Sequence, residues 1–120
     1  MESGASQIAD LSAETALGET RSQSEEQALS IYRGLQNGRI DRNLLAPNLS
    51  DYFSAQALAD FKDSLGPLGE PLTFRQTGEM LRGGMTFCGY RVVYPTRRLS
   101  ISTYTYPDGK LEQYLVGAAD

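Results

Sequence analysis

Few side chains in this sequence could carry out chemistry, and most of those that could are carboxylates and tyrosines. The chain has one cysteine, Cys88, and neither histidine nor tryptophan. Its 120 residues therefore cannot form a Ser-His-Asp relay, a Cys-His pair, a histidine-ligated metal site or an internal disulfide. Cys88 lies in a run that alternates like a β-strand and has no histidine to activate it, which indicates a structural or surface thiol.

The carboxylates also lack a catalytic arrangement. Asp51, Asp60 and Asp63 fall near the ends of predicted helices, where capping and solvation explain them. Gly83-Gly84 has no phosphate-loop context and indicates a turn. The sequence therefore predicts no catalytic residue, no metal and no cofactor.

Charge is distributed unevenly along the chain. The net charge is −4; residues 1–23 carry four acids and one base, and residues 24–120 carry eleven acids and ten bases. Residues 1–23 are also poor in large apolar side chains, which predicts a flexible leader or linker ahead of one domain at 24–120. The nearly neutral domain lacks a basic stripe, and the leader lacks a signal-type apolar run. We therefore expect no nucleic acid and no membrane as partner, and the compartment stays open between the cytoplasm and an exported protein.

The elements that must position these residues form two halves. Ser22 and Glu25 are spaced as a capping box ahead of a helical stripe that contains Tyr32, and Gly38 provides a stop. Pro47 and Ser54 open two further helical segments. The second half alternates with period two in four runs, which are Leu72 to Leu81, Met85 to Tyr94, Leu99 to Tyr106 and Lys110 to Val116. The predicted fold is α+β, with N-terminal helices packed on one face of a curved antiparallel four-stranded meander.

The loop lengths predict a register for this meander. A two-residue first loop and three-residue second and third loops pair Gln76 with Arg91, Arg91 with Ile101, and Ile101 with Leu115. The face predicted to be covered by the helices then holds an apolar set, which is Leu72, Phe74, Met80, Met85, Phe87, Val93, Leu99, Ile101, Leu111 and Leu115.

Four polar residues fall on that same predicted core face: Gln76, Arg91, Thr103 and Gln113. Buried polar groups must be paired or solvated. Three arrangements would satisfy these four residues. They could pair in an internal network, lie at a sheet end open to solvent, or, together with Tyr32, line a pocket for a small apolar or amphipathic ligand.

The predicted opposite face is rich in tyrosine. It carries Tyr90, Tyr94, Tyr104, Tyr106 and Tyr114. Tyrosines suit a homodimer or interdomain interface, and they equally suit a half-wet outer sheet face.

Several short motifs resemble one known superfamily. They are Leu35-Gln36-Asn37-Gly38, Tyr52-Phe53 with Leu58, Ser64-Leu65-Gly66, Leu81-Arg82-Gly83-Gly84-Met85 and Pro107-Asp108-Gly109 through Gln113. Together with the helices-then-meander order, they resemble the cystatin-like α+β roll of the nuclear-transport-factor-like (SnoaL-like) superfamily, in particular its uncharacterised bacterial accessory domains. The resemblance implies a roll with a ligand pocket in its cone.

The sequence supports more than one functional hypothesis. The first is a non-catalytic small-ligand-binding or accessory and dimerisation domain. The second is a lyase or isomerase of the ketosteroid-isomerase type, which needs an inward acid beside a tyrosine donor. The third is a peptide-docking module that uses an exposed sheet edge.

Overall fold

The computed structural model describes residues 21–119. Its longest helix, α1 (Gln23–Gln36), begins where the sequence places it. Ser22 is the N-cap, and its hydroxyl accepts from the Glu25 amide at 3.0 Å. Gly38, with φ of 72°, follows the helix end in the left-handed region that glycine tolerates. Of the predicted leader 1–23, residues 1–20 lie outside the described residues, and residues 21–23 belong to the folded domain.

Two shorter helices follow. Helix α2 (Pro47–Tyr52) has proline in its first turn, and α3 (Ala55–Leu65) is capped by Ser54, whose hydroxyl accepts from the Ala57 amide at 3.2 Å. Single 3₁₀ turns at Arg42–Leu44 and Gly66–Leu68 flank this pair. No helix between residues 21 and 119 is both long enough and apolar enough to cross a bilayer.

The second half forms one antiparallel sheet in the order β1-β2-β3-β4. The strands are β1 (Thr73–Arg82), β2 (Met85–Val93), β3 (Arg98–Thr105) and β4 (Leu111–Ala118). Helices followed by an open four-stranded meander confirm the α+β prediction.

The register differs from the prediction in the first hairpin. The Gly83-Gly84 turn is as predicted, since Arg82 pairs with Met85. A β-bulge between Gln76 and Gly78 then inserts one residue, so that Gln76 faces Tyr90 and not Arg91. A one-residue slip moves a strand's side chains to the other face.

The other two hairpins slip as well. The loop after β2 closes through the Tyr94 amide, which donates to the Arg97 carbonyl at 2.8 Å, and Ile101 therefore faces Tyr90. The turn before β4 is as predicted, but a bulge between Tyr104 and Thr105 pairs Ile101 with Val116 and not Leu115. Each predicted pairing is therefore wrong by one residue.

These slips determine which residues face the helices. The inner face of the sheet, which packs on the helices, is Phe74, Cys88, Tyr90, Val92, Leu99, Ile101, Thr103 and Tyr114. The outer face carries the alternate positions, which include Arg75, Met80, Arg82, Met85, Phe87, Arg91, Val93, Arg98, Tyr104, Gln113 and Leu115. The predicted core positions at Leu72, Met80 and Leu115 are wrong, because these side chains are 58%, 49% and 52% exposed. Phe74, Leu99, Ile101 and Leu111 are buried as predicted.

Candidate functional site: a groove between helix α1 and the sheet

Helix α1 is held on the sheet by hydrogen bonds from tyrosines. The Tyr90 hydroxyl donates to the Ser24 carbonyl at 3.2 Å, and the Tyr114 hydroxyl donates to the Ala28 carbonyl at 2.8 Å. Ser24 and Ala28 are one helical turn apart on the same side of α1. The two bonds therefore fix one side of the helix over strands β2 and β4.

A third hydrogen bond that involves tyrosine lies one helical turn beyond Ala28 on α1, where Tyr32 meets Tyr94. The Tyr32 and Tyr94 hydroxyl oxygens lie 2.7 Å apart, and the Tyr94 hydroxyl donates to the Gly69 carbonyl at 2.9 Å. A hydroxyl has one hydrogen to donate, so Tyr32 donates to Tyr94. This chain connects α1, the end of β2 and the segment before β1.

A groove of about 670 Å³ lies between the first half of α1 and the inner face of the sheet. Tyr90, Tyr114, Ala28, Ile31 and Leu111 contribute its apolar surface. Its polar lining includes Gln23, Ser24, Gln27, Thr86, Thr103 and Thr105. Two carboxylates, Glu26 and Glu79, also line it, and among the described lining residues there is no lysine or arginine.

Cys88 lines the groove and is only 2% exposed. The Gln76 side-chain amide donates towards its sulfur at 3.7 Å. Burial is the largest cause that raises the pKa of the Cys88 thiol. The thiol is therefore kept protonated at neutral pH.

We expect Cys88 to react slowly with a thiol reagent such as Ellman's reagent. Because the thiolate is the reactive form and the site is buried, the native rate should be lower than the rate in denaturant by a factor on the order of ten or more. Stopped-flow absorbance gives both rates. Equal rates would show that the thiol is open to solvent, and the groove as described would be wrong.

A buried ion pair lies between the start of α1 and the edge strand β1. The Arg21 guanidinium lies 2.9 Å from the Glu25 carboxylate, and both side chains are 6% exposed. Glu25 also accepts from the Gln76 backbone amide at 2.5 Å, and Arg21 donates to the Phe74 carbonyl. Two side chains thus satisfy backbone groups of the edge strand that would otherwise be open to another strand.

Sequence reasoning missed this role of Glu25. The capping-box spacing predicts that its carboxylate turns back to the start of α1, whereas it points at the β1 bulge. The other half of the capping box is present, because the Ser22 hydroxyl accepts from the Glu25 backbone amide. Arg21 gave no signal for the pair, because it precedes the N-cap of α1 and helical spacing does not apply to it.

The structure brings together two of the five predicted pocket residues. Thr103 lines the groove, and Gln76 contacts Cys88 beside it. Arg91 is exposed on the outer face, and Gln113, which pairs with Tyr104, also lies there. Tyr32 is fully buried in the core against Phe74, at 5.8 Å between ring centroids, and does not line the groove.

The prediction that five tyrosines share an outer face is wrong. Tyr90, Tyr94 and Tyr114 are 3%, 6% and 1% exposed and belong to the core. Tyr106 is 39% exposed and Tyr104 is half-buried on the outer face. An interface role for these two stays a prediction.

Over residues 21–119, no group of three or more cysteine, aspartate or glutamate side chains is arranged to hold a metal ion. The chain matches no family model, no curated protein and no solved structure. A proposal about function therefore rests on the groove and its lining residues, and not on similarity to known proteins.

Proposed function

We propose that the domain is a non-catalytic small-ligand-binding module of the cystatin-like roll type, and that the groove beneath α1 is its binding site. The observation that carries the proposal is the groove itself. Its volume of about 670 Å³ falls within the roughly 300–1,000 Å³ typical of ligand sites. Its lining is mixed: five residues supply apolar surface, and eight polar or charged side chains that could orient a ligand surround it.

The polar groups favour one ligand chemistry. Glu26 and Glu79 place negative charge in the groove, and no basic side chain among its described lining residues balances it. An anionic ligand would be repelled, whereas an amine or a hydroxyl would find acceptors in the carboxylates and in Thr103 and Thr105. The proposed ligand is therefore small and amphipathic, with amino or hydroxyl groups on an apolar frame.

The hydrogen bonding of the tyrosines favours binding over catalysis. An isomerase of the ketosteroid-isomerase type needs a carboxylate base and a tyrosine that donates to the substrate oxyanion. Glu79 on β1 supplies a carboxylate to the groove. Tyr90 and Tyr114, however, each donate their one proton to a carbonyl of α1, and so neither has a proton left for a substrate.

NMR titration of the full chain tests the proposal. We expect members of a library of small amphipathic amines and polyols to shift the backbone amide signals of Cys88, Thr103 and Glu79. The double substitution E26Q/E79Q should weaken an amine hit about tenfold, which corresponds to about 1.4 kcal/mol. Native mass spectrometry of the purified protein would identify a ligand that co-purifies.

The control is D63N, which removes one exposed carboxylate on α3, away from the groove. It should leave the affinity unchanged. The proposal fails if no compound shifts the groove signals, or if D63N weakens binding as much as E26Q/E79Q does.

A further inference from the structure

Three arginines cluster on the outer face of the sheet, on the side opposite the groove. Arg75 on β1 and Arg91 on β2 are direct cross-strand partners. Arg98 on β3 is diagonal to Arg91, since Arg91 pairs with Ser100. All three side chains are exposed. Arg75, Arg91 and Arg98 are termed the arginine cluster.

Little negative charge balances this cluster. The Arg75 guanidinium lies 3.9 Å from the Glu25 carboxylate, which is already occupied by Arg21 and the Gln76 amide. Within residues 21–119, no side chain pairs with Arg91 or Arg98 at hydrogen-bond or ion-pair distance. Like charges directly opposite each other destabilise a sheet, so an anion that bridged them would be stabilising.

An apolar patch adjoins the cluster on the same face. Met80, Phe87 and Tyr104 lie in one row across β1, β2 and β3, and Leu115 on β4, which is 52% exposed, is diagonal to Tyr104. The Arg82 guanidinium lies 4.9 Å from the centroid of the Phe87 ring. Met80, Phe87, Tyr104 and Leu115 are termed the apolar patch.

We propose that the outer face binds an extended acidic peptide of a partner protein. Carboxylates of the peptide would pair with the arginine cluster, since the guanidinium fork matches a carboxylate in a bidentate way. An apolar side chain of the peptide would pack on the apolar patch. Arg91 and Phe87 are four residues apart along β2, about 13 Å at the rise of a strand, and four residues of an extended peptide span the same length.

The same observations disfavour other occupants. A second copy placed face to face would set the arginine cluster against an identical cluster, and like charges in contact repel each other. Single-stranded nucleic acid needs open ring faces on which bases stack. Here Arg82 covers the Phe87 ring, and Tyr104 packs against Phe87 at 57°. Charge and ring geometry thus favour a peptide that carries carboxylates.

Fluorescence anisotropy with the full chain tests this. The probe is a short labelled peptide with two or three acidic residues placed four positions from a phenylalanine. Its partner probe has amides in place of the acids. We expect the acidic peptide to bind and the amide peptide to bind at least about tenfold more weakly. R91E/R98E should weaken the acidic peptide by a similar factor.

The matched control is R39E/K62E, which makes the same change in net charge at two exposed positions of the helical half. It should retain binding. R91E/R98E should also stay folded by circular dichroism, because R91E places a carboxylate opposite Arg75. The proposal is overturned if the acidic peptide does not bind at low salt, or if both double variants lose it equally. It is also overturned if a single-stranded oligonucleotide, phosphatidylserine vesicles or a second copy of the chain occupies the face more tightly than the peptide.

Discussion

Replacing Glu25 with alanine is expected to lower the free energy of unfolding by about 3–5 kcal/mol. The substitution leaves the Arg21 guanidinium, 6% exposed, without its counter-charge. It also leaves the Gln76 amide of the edge strand without its acceptor. Removing one partner of a buried, hydrogen-bonded pair costs more than the pair itself contributes, because the other charge stays desolvated. Since small domains are stable by only about 5–15 kcal/mol, this is a large fraction of the total.

Urea denaturation followed by circular dichroism measures the effect. The matched control is E70A, because Glu70 forms an ion pair with Arg33 in which the side chains are 65% and 52% exposed. An exposed pair contributes about 0.2–1 kcal/mol, so E70A should lose no more than that. E25Q should fall between the two, since the amide can still accept from Gln76 but no longer neutralises Arg21. Equal losses for E25A and E70A would show that Glu25 is solvated.

The helices were predictable because their signals are local. Ser22, Ser54 and Gly38 act within one turn of their own position, and each occupies the predicted cap or stop. The turns at Gly83-Gly84 and Pro107-Asp108-Gly109 are local in the same sense. The α+β class follows from these signals and from the change of period between the two halves.

The sheet faces could not be obtained from the turns alone. Each bulge inserts one residue into a hairpin whose turn the sequence identifies. Farther from the turn than the bulge, that extra residue reverses which side chains face the helices. Gly78 beside the first bulge is a weak signal, since glycine inside a strand often marks one. Arg91 is a stronger signal. If the Arg91 side of β2 faced the core, a charge would be buried, whereas the side with Cys88 and Tyr90 carries no charge.

The face on which a candidate site residue lies was predictable only where it depended on a single strand and not on the pairing of two. Strand β3 has the predicted phase, so Thr103 faces inward as expected. Arg91 and Gln113 depended on two slipped pairings and moved to the outer face with their strands. Glu25 depended on a contact with β1 fifty-one positions along the chain, and such a contact has no signature in local spacing.

Alkaline pH is expected to unfold the domain steeply above about pH 10. Burial is the largest cause that raises the pKa values of Tyr32, Tyr90, Tyr94 and Tyr114 in the folded state. Their pKa in the unfolded chain is about 10. Above that pH the unfolded state releases protons that the folded state retains, so stability is intact below pH 10 and falls as pH rises. Each phenol lowers the free energy of unfolding by up to about 1.4 kcal/mol per pH unit, and four together lower it by up to about 5.6 kcal/mol per unit.

Urea denaturation at intervals between pH 8 and 11.5, together with tyrosinate absorbance at 295 nm, checks this slope. Y114F should lower stability at neutral pH by about 1–2 kcal/mol, because it removes the bond to the Ala28 carbonyl. It should also reduce the alkaline slope by about a quarter, since one of the four phenols is gone. Y106F, which removes a 39% exposed phenol, is the control for stability at neutral pH and should be silent there. Stability that stays flat up to pH 11 would contradict the burial of these rings.

The alkaline transition also reports on the groove. Tyr90 and Tyr114 hold α1 by donating to its carbonyls, and a phenolate has no proton to donate. When α1 separates from the sheet, both phenols become solvated and titrate near their ordinary pKa of about 10, so rising pH favours that local opening. Hydrogen exchange near pH 10 should then show α1 losing protection before strands β2 and β3 do. Simultaneous loss in all three would mean that the helix and the sheet unfold as one unit, and that the tyrosine bonds do not control the opening of the groove.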